Sequence, residues 1–177
     1  PLFTPPSVRS DDPDATQGTI QLPGWVGGAD WNGAAVDPET QILYVPSITA
    51  PIVAALVEPD PDASNFDYVR GPPRTVQGPQ GLPLVKPPWG RITAIDLNRG
   101  EHLWMVPNGE GPRDHEALQG LDLPRLGVPG RPAPLLTKTL LFIGEGSPSM
   151  VAMPRFGGGK MFRAYDKHTG EVVWEME

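Results

Sequence analysis

Residues 166–176, DKHTGEVVWEM, repeat the spacing of residues 96–106, DLNRGEHLWMV. Extended outward, RITAIDLNRGEHLWMVP (91–107) aligns with MFRAYDKHTGEVVWEME (161–177), so that Ala94, Asp96, Gly100 and Trp104 correspond to Ala164, Asp166, Gly170 and Trp174. The shared positions have the chemistry of a β-hairpin. The Asp accepts hydrogen bonds from turn N–H groups, Thr169 adds a weaker acceptor, and the Gly takes the positive φ that closes a short loop. Side chains alternate faces along a strand, which sends Ala164 and Asp166 to one face and Tyr165 to the other. The Trp is then a large packing group on the outgoing strand, and the small Ala leaves room for a bulky neighbour.

Each of these hairpins follows another. GAAVDPETQILYVPS (33–47) and RPAPLLTKTLLFIGEG (131–146) both read as strand, short turn, strand. The chain therefore holds two four-stranded meanders, one from 33–46 and 91–106, the other from 131–146 and 161–176. A remnant of a third is expected in LFTPPS and GTIQLPG near the start. Repeated four-stranded antiparallel units with an apolar face are the blades of a β-propeller. The expected organisation is the end of a preceding blade and a loop over 1–32, a blade over 33–107 interrupted by an insertion at 47–90, an inter-blade loop over 108–130, and a second blade over 131–177. Propellers close with about four to eight blades. Two and a fraction leave three arrangements open: part of a larger propeller, several assembled copies, or a smaller two-sheet sandwich.

The composition agrees with many short strands. The 177 residues include 24 Pro and 21 Gly, which disfavours long helices, while five Trp and five Phe supply burial that disordered chains lack. A formal net charge of −7 with no run of Lys or Arg argues against a nucleic-acid partner and disfavours an anionic membrane surface. With no Cys there is neither a disulfide nor a thiolate metal site. His102, His115 and His168 have no ligand-pair spacing. ITAPIVAALV (48–57) is too short to span a membrane, and PLFTPPS is not a signal peptide, so the protein stays where it is made or the chain is cut from a longer one.

Other motifs read as structure. Asp60, Asp62 and Asp67 lack an ordered calcium-loop spacing and read as a solvated loop. Ser147 and Ser149 in GEGSPSM have no neighbouring base and read as turn residues. FGGGK (156–160) lacks the phosphate-loop spacing. GGADW (27–31) lies outside the repeat, and its glycines suit either a turn into a strand or close approach of a ligand.

The spacing Ala-x-Asp-x-x-Thr-Gly-x-x-x-Trp at 164–174 resembles the tryptophan-docking motif of the quinoprotein dehydrogenases, eight-bladed propellers that bind pyrroloquinoline quinone (PQQ). The first copy departs at Arg99, where the motif has Thr. LFTPPS, GTIQLPGWVGGADWNGAAVDPETQILYVPS, GLPLVKPPWGRITAIDLNRGEHLW and GRPAPLLTKTLLFIGEG together resemble, in order, the C-terminal part of membrane-type quinoprotein glucose dehydrogenases. The resemblance implies part of a periplasmic enzyme, associated with the membrane through a region preceding this chain. It implies oxidation of a sugar (glucose-like) or alcohol hydroxyl by PQQ held with calcium, an aspartate as base, and electrons passed to a quinone acceptor. It implies the remaining propeller blades, or further copies of the chain, as partners. Matching GGADW to the family's Asn-Trp pair makes Asp30 and Trp31 the expected cofactor-binding residues. An ionised Asp cannot donate to a quinone oxygen, so Asp30 suits the cofactor when protonated or facing calcium. No catalytic residue and no metal ligand is assigned to this chain, which is expected to be inactive alone. The alternative is a non-catalytic propeller scaffold for protein contacts.

Overall fold

The computed structural model describes residues 2–29, 32–148 and 157–177. The strands in chain order begin with β1 (Ser7–Val8), β2 (Thr19–Gln21), β3 (Ala35–Asp37), β4 (Ile42–Ile48) and β5 (Ile52–Val57). They continue with β6 (Val69–Arg70), β7 (Arg74–Thr75), β8 (Gly90–Asp96), β9 (Glu101–Pro107) and β10 (Gly130–Arg131). The last five are β11 (Leu135–Leu136), β12 (Leu140–Gly144), β13 (Ser147–Pro148), β14 (Phe162–Asp166) and β15 (Val172–Met176). The helical elements among the described residues are two 3-10 turns, Pro79–Gly81 and Glu116–Leu118. This is the short-strand architecture that abundant Pro and Gly impose.

Two four-stranded antiparallel sheets, β3-β4-β8-β9 and β11-β12-β14-β15, form the expected pair of blades. Their registers coincide. Tyr44 faces Ala94, which faces Trp104; Phe142 faces Ala164, which faces Trp174. Both outer hairpins carry a register shift just after that Ala, between Ala94 and Ile95 and between Ala164 and Tyr165. One extra residue on the outgoing strand, Leu103 in the first and Val173 in the second, bulges both hairpins at the same place.

The blades pack face to face. From the first come Tyr44, Ile92 and Ala94; from the second, Leu141, Ile143 and Tyr165, all almost fully buried. Trp104, Val106, Leu136 and Val172 extend this core. Alternation explains the choice of residues, since each sheet contributes one strand face to the interface. β3 and β11 lie against one another and mark the inner edge of the pair.

β1 and β2 hydrogen-bond to neither blade. β1 pairs in parallel with β5 and β2 pairs antiparallel with it, while β6 and β7 also pair with β5. The segment between β4 and β8 is therefore a small sheet of its own, built around the apolar run IVAALV. Arg91 closes its neck, donating to Thr49 Oγ1 and to the Pro88 carbonyl at its two ends. The 108–130 connection also runs strand-like along the first blade, with Trp89 donating to Leu126 and Val128 donating to Asn108. Its close approach requires glycine: a Cβ on Gly90 would lie 1.8 Å from the Val128 carbonyl oxygen.

Candidate functional site

A four-stranded meander sorts its connections by end. In both blades the first-to-second and third-to-fourth turns are short and share one end: 38–41 and 97–100, then 137–139 and 167–171. The connections before the first strand and between the second and third lie at the other end. That end receives residues 22–29, 32–34, 49–89, 108–134, 145–148 and 157–161, where the chain can vary without disturbing the sheets.

Where this end meets the inner edge, Gly28, Asn32, Ser47, Ile48, Gly130 and Arg131 line a crevice of about 10 Å³. Asn32 Nδ2 donates to the Arg131 carbonyl at 2.7 Å, joining the segments that lead into the two blades. Ile48 N donates to the Gly28 carbonyl at 2.8 Å and seats the glycine-rich segment against β4. The expected cofactor residues Asp30 and Trp31 lie outside the described residues. Gly28, two residues before Asp30, and Asn32, directly after Trp31, both line the crevice.

Buried polar groups tie the same end together. Asn108 Nδ2 donates to the Gly144 carbonyl at 2.9 Å, and Tyr165 OH donates to Asn108 Oδ1 at 3.1 Å. Burial pushes the Tyr165 phenol up to about 12, so it remains a neutral donor at ordinary pH. Beside it the guanidinium of buried Arg163 lies 2.7 Å from Glu145 and 2.9 Å from Glu175. Burial opposes that charge, but the two carboxylates outweigh it and raise the Arg163 pKa. Arg125 continues the network, bridging Glu175 at 3.0 Å and Glu110 at 2.6 Å, with Arg113 completing it. Burial raises the Glu110 pKa and the two arginines overcome it, leaving the net shift downward.

The other singled-out motifs take structural places. Ser147 lies in β13 opposite Arg131, so it is a strand residue where a turn was expected, because β13 pairs with β10. Ser149 and Phe156 lie outside the described residues. Gly158 and Gly159 donate to the Pro129 and Gly146 carbonyls. Asp60 holds its own turn, Oδ1 accepting from Asp62 N at 3.0 Å. His115 caps the second 3-10 turn, Nδ1 accepting from Ala117 N. Among the described residues no group of three or more His, Cys, Asp or Glu side chains could hold a metal ion.

Sequence reasoning missed two buried pairs, Arg163 with Glu145 and Lys167 with Asp37. The partners are 18 and 130 residues apart, and each occupies a position where the other repeat has a different residue type. Only the non-repetition itself, Lys167 against Leu97 and Arg163 against Thr93, could have drawn attention to them.

Among curated proteins, the quinoprotein glucose dehydrogenase A of Acinetobacter calcoaceticus is 26% identical over 98% of this chain and 21% of its own length. The quinoprotein glucose dehydrogenase of Gluconobacter oxydans is 30% identical over 98% of this chain and 23% of its own. The chain thus spans a fifth to a quarter of the length of these relatives. A solved europium-containing methanol dehydrogenase superposes with a TM-score of 0.55 at 22% identity over 89% of this chain and 22% of that one, a likeness of fold. The family model described as the PQQ glucose/ethanol/alcohol dehydrogenase β-propeller domain matches residues 1–177, and the chain belongs to that family.

Proposed function

We propose that this chain supplies two adjacent blades, and one wall of the cofactor cavity, to a PQQ-dependent dehydrogenase of eight blades acting on a sugar or alcohol hydroxyl in the periplasm. The family match along all of 1–177 carries the reading. When bound, PQQ supplies the quinone that takes up the two electrons of the oxidation, and an accompanying cation such as calcium polarises it. The electrons leave to a quinone acceptor.

The described residues fit the rim of such a site rather than its whole. A crevice of about 10 Å³ has room for one water molecule and cannot enclose a tricyclic cofactor. Its lining residues include the cation Arg131, together with Asn32 and Ser47. A cofactor with three carboxylates, lying across the inner edge, would meet that cation. Asp30 and Trp31, between the two crevice residues Gly28 and Asn32, are proposed to contribute a carboxylate toward the cation and an aromatic face toward the ring system. In this reading the base and the remaining metal ligands come from blades outside this chain.

The test is a titration of the chain, alone and with the remaining blades supplied, with PQQ and calcium, followed by cofactor absorbance. Saturable binding in the assembled propeller is expected, with weak or no binding to the chain alone. Absence of binding by the assembled propeller would overturn the reading in favour of a scaffold. Asp30→Asn in the assembly is expected to alter cofactor affinity, and an unchanged titration would remove Asp30 from the site.

A further inference from the structure

The contact between the blades has a repeated part and a unique part. The repeated part is the tryptophan: Trp104 lies against Gly170, where a Cβ would come within 2.8 Å of the indole, and its Nε1 donates to the Lys167 carbonyl at 3.2 Å. Every blade with the same hairpin offers the same plug and the same socket. The unique part is the ion pair between Lys167 Nζ and Asp37 Oδ2, at 2.6 Å with both side chains 6% exposed. Asp37 ends β3 on the first blade and Lys167 sits in the β14–β15 turn of the second. By strand register, the residue matching Lys167 on the first blade is Leu97, and the residue matching Asp37 on the second is Thr137. Both of these are exposed on the outer faces of the pair.

We propose that the Asp37–Lys167 ion pair, and not the docked tryptophan, determines which blade follows which. A tryptophan dock alone allows four ordered pairings of these two blades. First blade onto first buries Asp37 against Leu97. Second onto second buries Lys167 against Thr137. Second onto first joins Thr137 to Leu97 and gains no charge contact. Only first onto second closes the pair. An unpaired buried charge is strongly unfavourable, whereas a matched pair is close to neutral against an apolar one, so the pair acts on selection more than on stability. Repeat proteins are prone to misdocking between like units, and this contact opposes it. The inference concerns the blade interface and holds with or without the cofactor.

The chain lacks Cys, so crosslinking can report misdocking cleanly. Cysteines at Thr137 and His168, introduced in the full chain, report second-onto-second docking, which buries Lys167 unpaired, and should form few disulfides between copies after refolding. Adding Asp37→Asn and Lys167→Met, which removes both charges and keeps the turn acceptor at 37, should raise that crosslinked fraction about tenfold. An equal fraction with and without the ion pair would overturn the proposal. A second variant leaves the native pair untouched: Leu97→Lys with Thr137→Asp installs the same charges on the outer faces. Light scattering should then show concentration-dependent head-to-tail association absent from the parent, and an unchanged mass would likewise overturn it.

Discussion

The two tryptophan hairpins share sequence spacing, strand register and turn geometry, yet their tryptophans have different surroundings. Gly100 N donates to the Asp96 carbonyl at 2.7 Å and Gly170 N to the Asp166 carbonyl at 2.9 Å; the glycine φ angles are +71° and +76°. Asn98 N and His168 N both donate to the Asp side chain at 2.8 Å. Trp104 nevertheless packs into the interface core beside Tyr44, their ring centroids 5.8 Å apart, while Trp174 is 46% exposed and stands edge-to-face with Phe162 at 6.4 Å. Gly170 is buried under Trp104, whereas a Cβ on Gly100 would meet no atom within 4 Å among the described residues. The motif builds a turn, a plug and a socket; it stabilises the fold only where a second blade supplies the complementary half.

The largest break in that symmetry is expected at the tryptophans. Trp104→Ala should cost about 3 kcal/mol in urea unfolding, near the lower end for removal of a packed indole, while Trp174→Ala stays within about 0.5 kcal/mol. Equal costs would mean that the docking is not the source of the first residue's contribution.

The glycines should show a smaller asymmetry. Gly170→Ala combines the strain of a positive φ with contact against the Trp104 ring and is expected to cost about 2 kcal/mol. Gly100→Ala carries the strain alone, about 1 kcal/mol. Thermal melts of the two variants should keep that order, and an inverted order would place the crowding elsewhere.

Acid titration should give the mildest difference. The Lys167 ammonium, then Thr40, hold the Asp37 carboxyl well below its usual range, and the His168 and Thr169 N–H groups lower that of Asp166. Both folded pKa values are depressed from an ordinary 3.8, so the stabilisation is full above that value and is lost as pH falls through the folded values. Melting temperature should therefore fall below about pH 4. Asp37→Asn should flatten this acid limb, and a limb of unchanged slope would show that other carboxylates govern it.

Much of the fold was legible because hairpin chemistry is local. Asp, Gly and Trp at fixed spacing act through hydrogen bonds and φ angles a few residues apart, and the strand alternation around them follows from the pleat. The fate of residues 7–21 was not legible in the same way. The sequence alone offers these strands as the end of another blade, but they pair with β5, whose IVAALV run presents two hydrogen-bonding edges to whatever reaches it. The candidate site was half legible. GGADW stands out by falling outside the repeat, whereas Arg131 and Ser47 join Asn32 only because the inner edges of both blades converge.

The turns, the two meanders and the family follow from residue order alone, because each rests on contacts within a hairpin or on matches along the whole chain. Packing of the two sheets settles which tryptophan is docked, which carboxylate receives Lys167, and which segments share the inner edge. Those outcomes depend on partners 63, 130 and 99 residues apart, and no local spacing encodes a contact made across two separate sheets.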